Sequence, residues 1–193
     1  MGCILPPSNP NPTIIMKTTT ILSIALATFV MTACKESTNT TTSTETTATD
    51  PALEKFFTGE PIPAAQAIHI ARTTAKPGDE ITLKGDLIGR KKIFVDGRAS
   101  FILGDPGKLT ACNEMPGDEC PTPWDACCDS KDLKKTGIAS IQILGEDGRV
   151  LSGNLKGTRG MKELSSITLT GTVDKSSTEE NLVVNATRIH VGK

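Results

Sequence analysis

Tyrosine is missing from the 193-residue chain, aromatic residues make up only 3% of it, and histidine is confined to His69 and His190. A core with so few rings has to rest on Ile, Leu, Val and Ala, which suits a small domain better than a large enzyme. An excess of charge of either sign is missing too. The formal net charge of -1 sets up no field that would gather nucleic acid or an anionic membrane surface. The apolar run from Ile21 to Met31 falls well short of the roughly twenty residues that a bilayer core requires, so a permanent transmembrane helix is not expected. G-x-S-x-G, H-E-x-x-H and Gly-rich phosphate loops are absent, so neither an enzyme nor a cofactor is expected. The two histidines sit in "AIHIA" and "RIHV" and are expected on strands facing solvent. Their rings would meet only if those segments paired.

What is present begins with an address. From Met16 the chain runs "MKTTTILSIALATFVMTAC": a lysine, an apolar stretch, small residues and a cysteine, the layout of a secretory signal peptide over residues 16–33. The segment "VMTAC" resembles the lipobox of bacterial lipoproteins, departing from it at Met31, where Leu is usual. The resemblance implies cleavage after Ala33 and lipidation of Cys34. Lys35 in place of Asp implies delivery to the outer membrane in a cell that has one. Residues 1–15 precede a complete leader and are expected to reflect an upstream start. The Thr-rich stretch after Cys34 has too few apolar side chains to offset the entropy of ordering, so residues 34–64 are expected to tether a domain over 65–193 to the membrane.

Within that domain, turn signals alternate with period-2 runs. "PGDEITLKGDLIG" sets Ile81, Leu83 and Gly85 on one face and Thr82, Lys84 and Asp86 on the other. "IFVDGRASFILGD" is a second strand region with a bend at Gly97. "IASIQILGEDGRVLSGNLKG" is strand, turn and returning strand, "MKELSS" a helical turn, and "SITLTGTVDKSSTEENLVVNATRIHV" a hairpin rich in β-branched residues. No amphipathic helix of three turns is visible. Strand regions in this order, with a short helical element before the fourth, resemble the OB-fold, an all-β five-stranded Greek-key barrel; a small β-sandwich is the alternative. The glycines in mid-strand in "ITLKGDLIG" and "ITLTGTV" suit the coiling that a small barrel needs.

Four cysteines, Cys112, Cys120, Cys127 and Cys128, crowd a loop over residues 105–132 between the second and third strand regions. Export exposes them to an oxidising compartment, which favours disulfides; the ring that would join the adjacent pair is strained, so Cys127 and Cys128 are each expected to bond back to Cys112 or Cys120. Structural zinc sites space their ligands by two to four residues, and the gaps here do not follow that rule. Cu(I), which accepts soft ligands at low coordination number, is the metal that best survives, with Met115 as a further donor; zinc is the other metal considered. The segment "CPTPWDACC" resembles a CPTPWDxCC segment in a group of uncharacterised secreted bacterial proteins with an OB-like core.

The chain is thus expected to be a non-catalytic envelope lipoprotein. Its binding surface would combine Trp124 on the stapled loop with Phe94 and Phe101 on the barrel, and its partner would be the membrane through the anchor and an envelope protein or glycan. A metal-handling lipoprotein using the cysteine loop is the alternative. The basic run Arg90, Lys91 and Lys92 next to the two phenylalanines fits the pattern of a nucleic-acid groove, but an exported protein meets little nucleic acid, so a solvated turn is expected. Metabolic labelling with a fatty-acid analogue should tag the wild-type chain and leave Cys34→Ala untagged. Equal labelling of both would remove the anchor.

Overall fold

The computed structural model describes residues 50–117 and 119–192. The leader, Cys3, the lipidation residue Cys34 and most of the Thr-rich stretch lie outside the described residues. The elements in chain order are α1 (Pro51–Glu54), β1 (Phe57–Thr58), β2 (Gln66–Ala67), α2 (Ile68–Thr74), β3 (Glu80–Asp86), β4 (Ser100–Gly104), α3 (Lys131–Gly137), β5 (Ile138–Gln142), β6 (Ser166–Val173) and β7 (Leu182–Val191).

Five of the strands close on themselves in the order β3-β4-β5-β7-β6-β3. The β5–β7 pair is parallel and the other four pairs are antiparallel. That is the strand order of an OB-like barrel, and closing a single sheet in this way excludes the sandwich. The alternation expected along β3 is present: Ile81, Leu83 and Gly85 are buried, while Thr82 reaches across the outer face to the Thr170 hydroxyl, 3.2 Å away. The two-residue strands β1 and β2 add in parallel to β7 and β3.

Three local expectations change. "IFVDGRASFILGD" is a tight hairpin rather than one bent strand: Gly97 turns the chain at φ 69°, and Phe94 bridges directly to Phe101. "MKELSS" makes an irregular turn, preceded by a 3-10 turn at Thr158–Gly160, because Gly157 and Gly160 both take positive φ and break any continuous helix. The helical element that OB barrels carry before their fourth strand is therefore vestigial, and α2 instead packs Ile68 and Ala71 into the main core. The folded domain also begins inside the segment 34–64 expected to be a tether. Asp50 caps α1 through the Ala52 N–H at 2.9 Å, Leu53 is fully buried, and Phe57 pairs with Ile189. Leu53 and Phe57 are part of the main core and Phe56 packs against it, which docks this part of the stretch.

The mid-strand glycines have the role their position suggests. A Cβ on Gly85 would lie 2.5 Å from the Gly104 carbonyl oxygen, and one on Gly171 2.5 Å from that of Asn185, beside the bulge between Thr170 and Gly171. Close backbone approach at these points lets the sheet coil. Gly85→Ala is expected to cost about 1–3 kcal/mol, because the obstacle is backbone and cannot swing aside. Gly59→Ala, which meets nothing within 4 Å, should leave the thermal midpoint unchanged. Circular-dichroism melts of the two variants check the difference.

Candidate functional site

The cysteine loop has more core of its own than its composition suggests. Leu109, Ala111 and Ala126 pack with Ile88 and Ile138 into a second, smaller cluster, and Trp124 and Ile102 touch both this cluster and the main core. Its two arms are cross-braced. The Cys112 N–H donates to Asp125 O at 2.8 Å, the Asn113 N–H to Pro123 O at 2.9 Å, and the Thr110 N–H to the Asp129 carboxylate at 2.9 Å. The Gly89 N–H donates to Trp124 O, which fastens the loop to the residues after β3.

This bracing gathers sulfur. Cys112 sits on a 3-10 turn over Cys112–Glu114, and its Sγ lies 3.4 Å from Cys127 Sγ. The sulfurs of Cys112, Cys120 and Cys127 all lie within 4.8 Å of one another. Cys128 Sγ stands 3.8 Å from Cys127 Sγ, outside that compact group. No disulfide joins the four cysteines in the structure, in contrast to the pairing expected from export. Burial is graded: Cys112 is buried, Cys120 half-buried, and Cys127 and Cys128 exposed. Hydrogen bonding with Thr122, through its hydroxyl first and then its backbone, pulls the Cys120 thiol below its usual range, with help from the Cys112 and Cys127 sulfurs. The Lys134 ammonium donates to the Cys127 backbone carbonyl at 3.2 Å. Met115 is half-buried and closes the 3-10 turn through its N–H to Cys112 O.

The three aromatic candidates part company. Phe101 is fully buried and Phe94 nearly so, both in the main core, so Phe101 has no face left for a ligand. Trp124 is half-buried. Its indole N–H donates to Lys91 O at 3.1 Å, and it lines a cleft of about 630 Å³ with Pro123, Leu164 and Ser165. Leu164 is 41% exposed and held at φ 67°, a left-handed backbone that a leucine rarely adopts. Arg90, Lys91 and Lys92 are exposed, and Lys92 pairs with Asp96 at 2.6 Å, as a solvated turn would.

A further group escaped the sequence. His69 lies on α2 rather than a strand, and its Nδ1 is 2.7 Å from Asp105 Oδ2. That oxygen also accepts the His69 backbone N–H, while Oδ1 accepts the Gly107 N–H. Burial alone would push the Asp105 carboxyl up, but the His69 and Gly107 hydrogen bonds outweigh it and hold the group below its usual value. An ionised carboxylate can only accept, so Nδ1 carries the proton and Nε2 is turned away from the buried aspartate. The pair lines a cleft of about 480 Å³ with Lys84, Asp86 and Ser166, and the Ser166 hydroxyl donates to Asp86 at 2.6 Å. His190 does lie on a strand, β7, with Nδ1 3.3 Å from Thr58 O, and the segments carrying the two histidines do not pair. The only signal for the dyad was the turn-forming "GDPG" after β4, and nothing in it points 36 residues back to His69.

Comparison of the chain with models of protein families, with curated proteins and with solved structures finds no match.

Because the folded state holds the Asp105 proton more weakly than the unfolded chain does, its stabilising effect is complete above the ordinary carboxylate range and is lost as pH falls below it. Asp105→Asn is expected to lower stability at pH 7 by about 1–3 kcal/mol, since it leaves buried donors poorly matched. Wild type and variant should converge in melting temperature as the pH is lowered through that range, and a gap that stays constant would show that the charge is not what matters.

Proposed function

We propose that the chain is an exported, lipid-anchored, non-catalytic module whose barrel presents a thiolate site for a thiophilic metal ion, Cu(I) in preference to Zn(II). One observation carries this reading: the mutual approach of the Cys112, Cys120 and Cys127 sulfurs to within 4.8 Å. Three sulfurs of that spacing suit the low coordination that Cu(I) accepts, whereas a structural zinc site asks for four ligands. The depressed Cys120 thiol favours the ionised form in which sulfur binds metals. The lipobox resemblance at Cys34 supports a lipid anchor, and Lys35 after it supports placing this site at the outer membrane of a cell that has one.

A second reading, an interaction module for an envelope protein or glycan, rests on a different observation. Leu164 is held exposed at φ 67° beside the Trp124 cleft, and a strained, exposed apolar side chain next to an indole is the kind of feature that recognition surfaces use. The two readings are separable, because Trp124 contributes no metal donor.

Native mass spectrometry of the chain isolated from its own compartment tests the metal reading. One bound copper ion per chain, lost in Cys112→Ser and kept in Trp124→Ala, is expected. A metal-free chain with the mass deficit of disulfide formation at these cysteines would overturn it in favour of a structural staple.

A further inference from the structure

The four cysteines are graded from buried to exposed. Cys112 is buried on its 3-10 turn, Cys120 is half-buried, Cys127 is exposed within the compact group, and Cys128 is exposed just beyond it. A site built only to retain an ion would gain from burying its ligands and excluding competitors. Here the edge of the group opens to solvent on the side where one more thiol stands, 3.8 Å from the outermost member. That separation is close to the spacing of two sulfurs bound to one metal at about 2.3 Å each. Cys128 can therefore join the coordination sphere of an ion held by Cys127 without first requiring the group to come apart.

We infer that Cys128 is a transfer ligand, which carries a thiophilic ion from the Cys112, Cys120 and Cys127 group to an incoming acceptor. This rests on the metal reading above and adds a direction of delivery to it. In the exchange, the Cys128 sulfur loses its proton to solvent and forms a Cu–S bond. The bond from Cu(I) to the buried Cys112 then breaks, and Cys112 takes up a proton. No electron is transferred, and the ion moves one sulfur nearer the surface, where an acceptor thiolate or imidazole can replace the remaining ligands in turn. The bracing of the loop supports such stepwise exchange, because Cys112 N–H to Asp125 O and Asn113 N–H to Pro123 O hold the two arms in place while ligands change.

The test uses the full chain, loaded with one equivalent of Cu(I) without oxygen, and bicinchoninate as the chromogenic acceptor. In wild type the transfer rate should rise with acceptor concentration. Cys128→Ser and Cys128→Ala should both keep one copper per chain but transfer it roughly tenfold or more slowly, the scale on which groups just outside a metal's ligand set act. Unchanged rates in both variants would overturn the transfer role while leaving the metal site standing. Loss of copper on removing Cys128 would also overturn it, by making Cys128 a resident ligand. If wild type fails to hold copper, or Cys112→Ser holds it equally well, the metal reading itself fails and the inference goes with it.

Discussion

Most of what is distinctive in this barrel converges on the carboxylate of Asp105. It is buried at the end of β4 and receives three hydrogen bonds, two from His69 and one from Gly107. Helix α2 begins after Ala67, which has no side chain able to cap it, and Asp105 does that work from across the fold by accepting the N–H of the helix's second residue. The Asp105 backbone N–H donates to Gly137 O at the end of α3, just before β5, and the Asp105 carbonyl accepts the N–H groups of Lys108 and Leu109. Asp105 thus joins α2 and the start of the cysteine loop through its carboxylate, and the end of α3 through its backbone. Burying that charge is costly unless it is paired, so the hydrogen bonds from His69 and Gly107 hold α2 against the turn after β4.

The loop inherits that fixation and adds its own. Leu109 lies four residues past Asp105 and begins the small second core, on which Ala111 and Ala126 bring the two arms of the loop together. The order of sulfur burial follows from this packing. Cys112, next to buried Ala111, is itself buried on a tight 3-10 turn, whereas Cys127 and Cys128, which come after buried Ala126, are exposed. Trp124 lies between the two cores with its indole N–H satisfied by Lys91 O, so it is both a wedge that seats the loop and the wall of the cleft beside Leu164.

The N-terminal segment shows how little sequence it takes to extend a barrel. Leu53 and Phe57 dock onto the main core, β1 takes the edge of β7 beyond its pairing with β5, and Glu54 meets Arg159 at 2.6 Å. Arg159 itself sits at φ 51°, beside glycines of the turn that replaces the usual OB helix. Helix α2 adds Ile68 and Ala71 to the main core, which keeps that part of the apolar interior from water.

The sequence by itself determined what depends on neighbours along the chain: the two-residue period of β3 and β6, the hairpin from β6 to β7, the turns at Gly97 and Gly148, and the glycines where strands must approach closely. These fix which side of each strand is apolar, and for so few aromatic residues that is nearly enough to specify a small closed barrel. The cysteines were also legible as a group, because they share one loop. Tertiary structure alone decided what joins residues far apart in the chain. It moved His69 from a strand to a helix and gave it Asp105, buried Phe101 as a core ring, drew Leu53 and Phe57 out of a polar tether, and ranked the four sulfurs from buried to exposed. Periodicity reports which face of an element is apolar, but the partner of a buried charge, and the depth of a thiol, depend on which distant segments close over it.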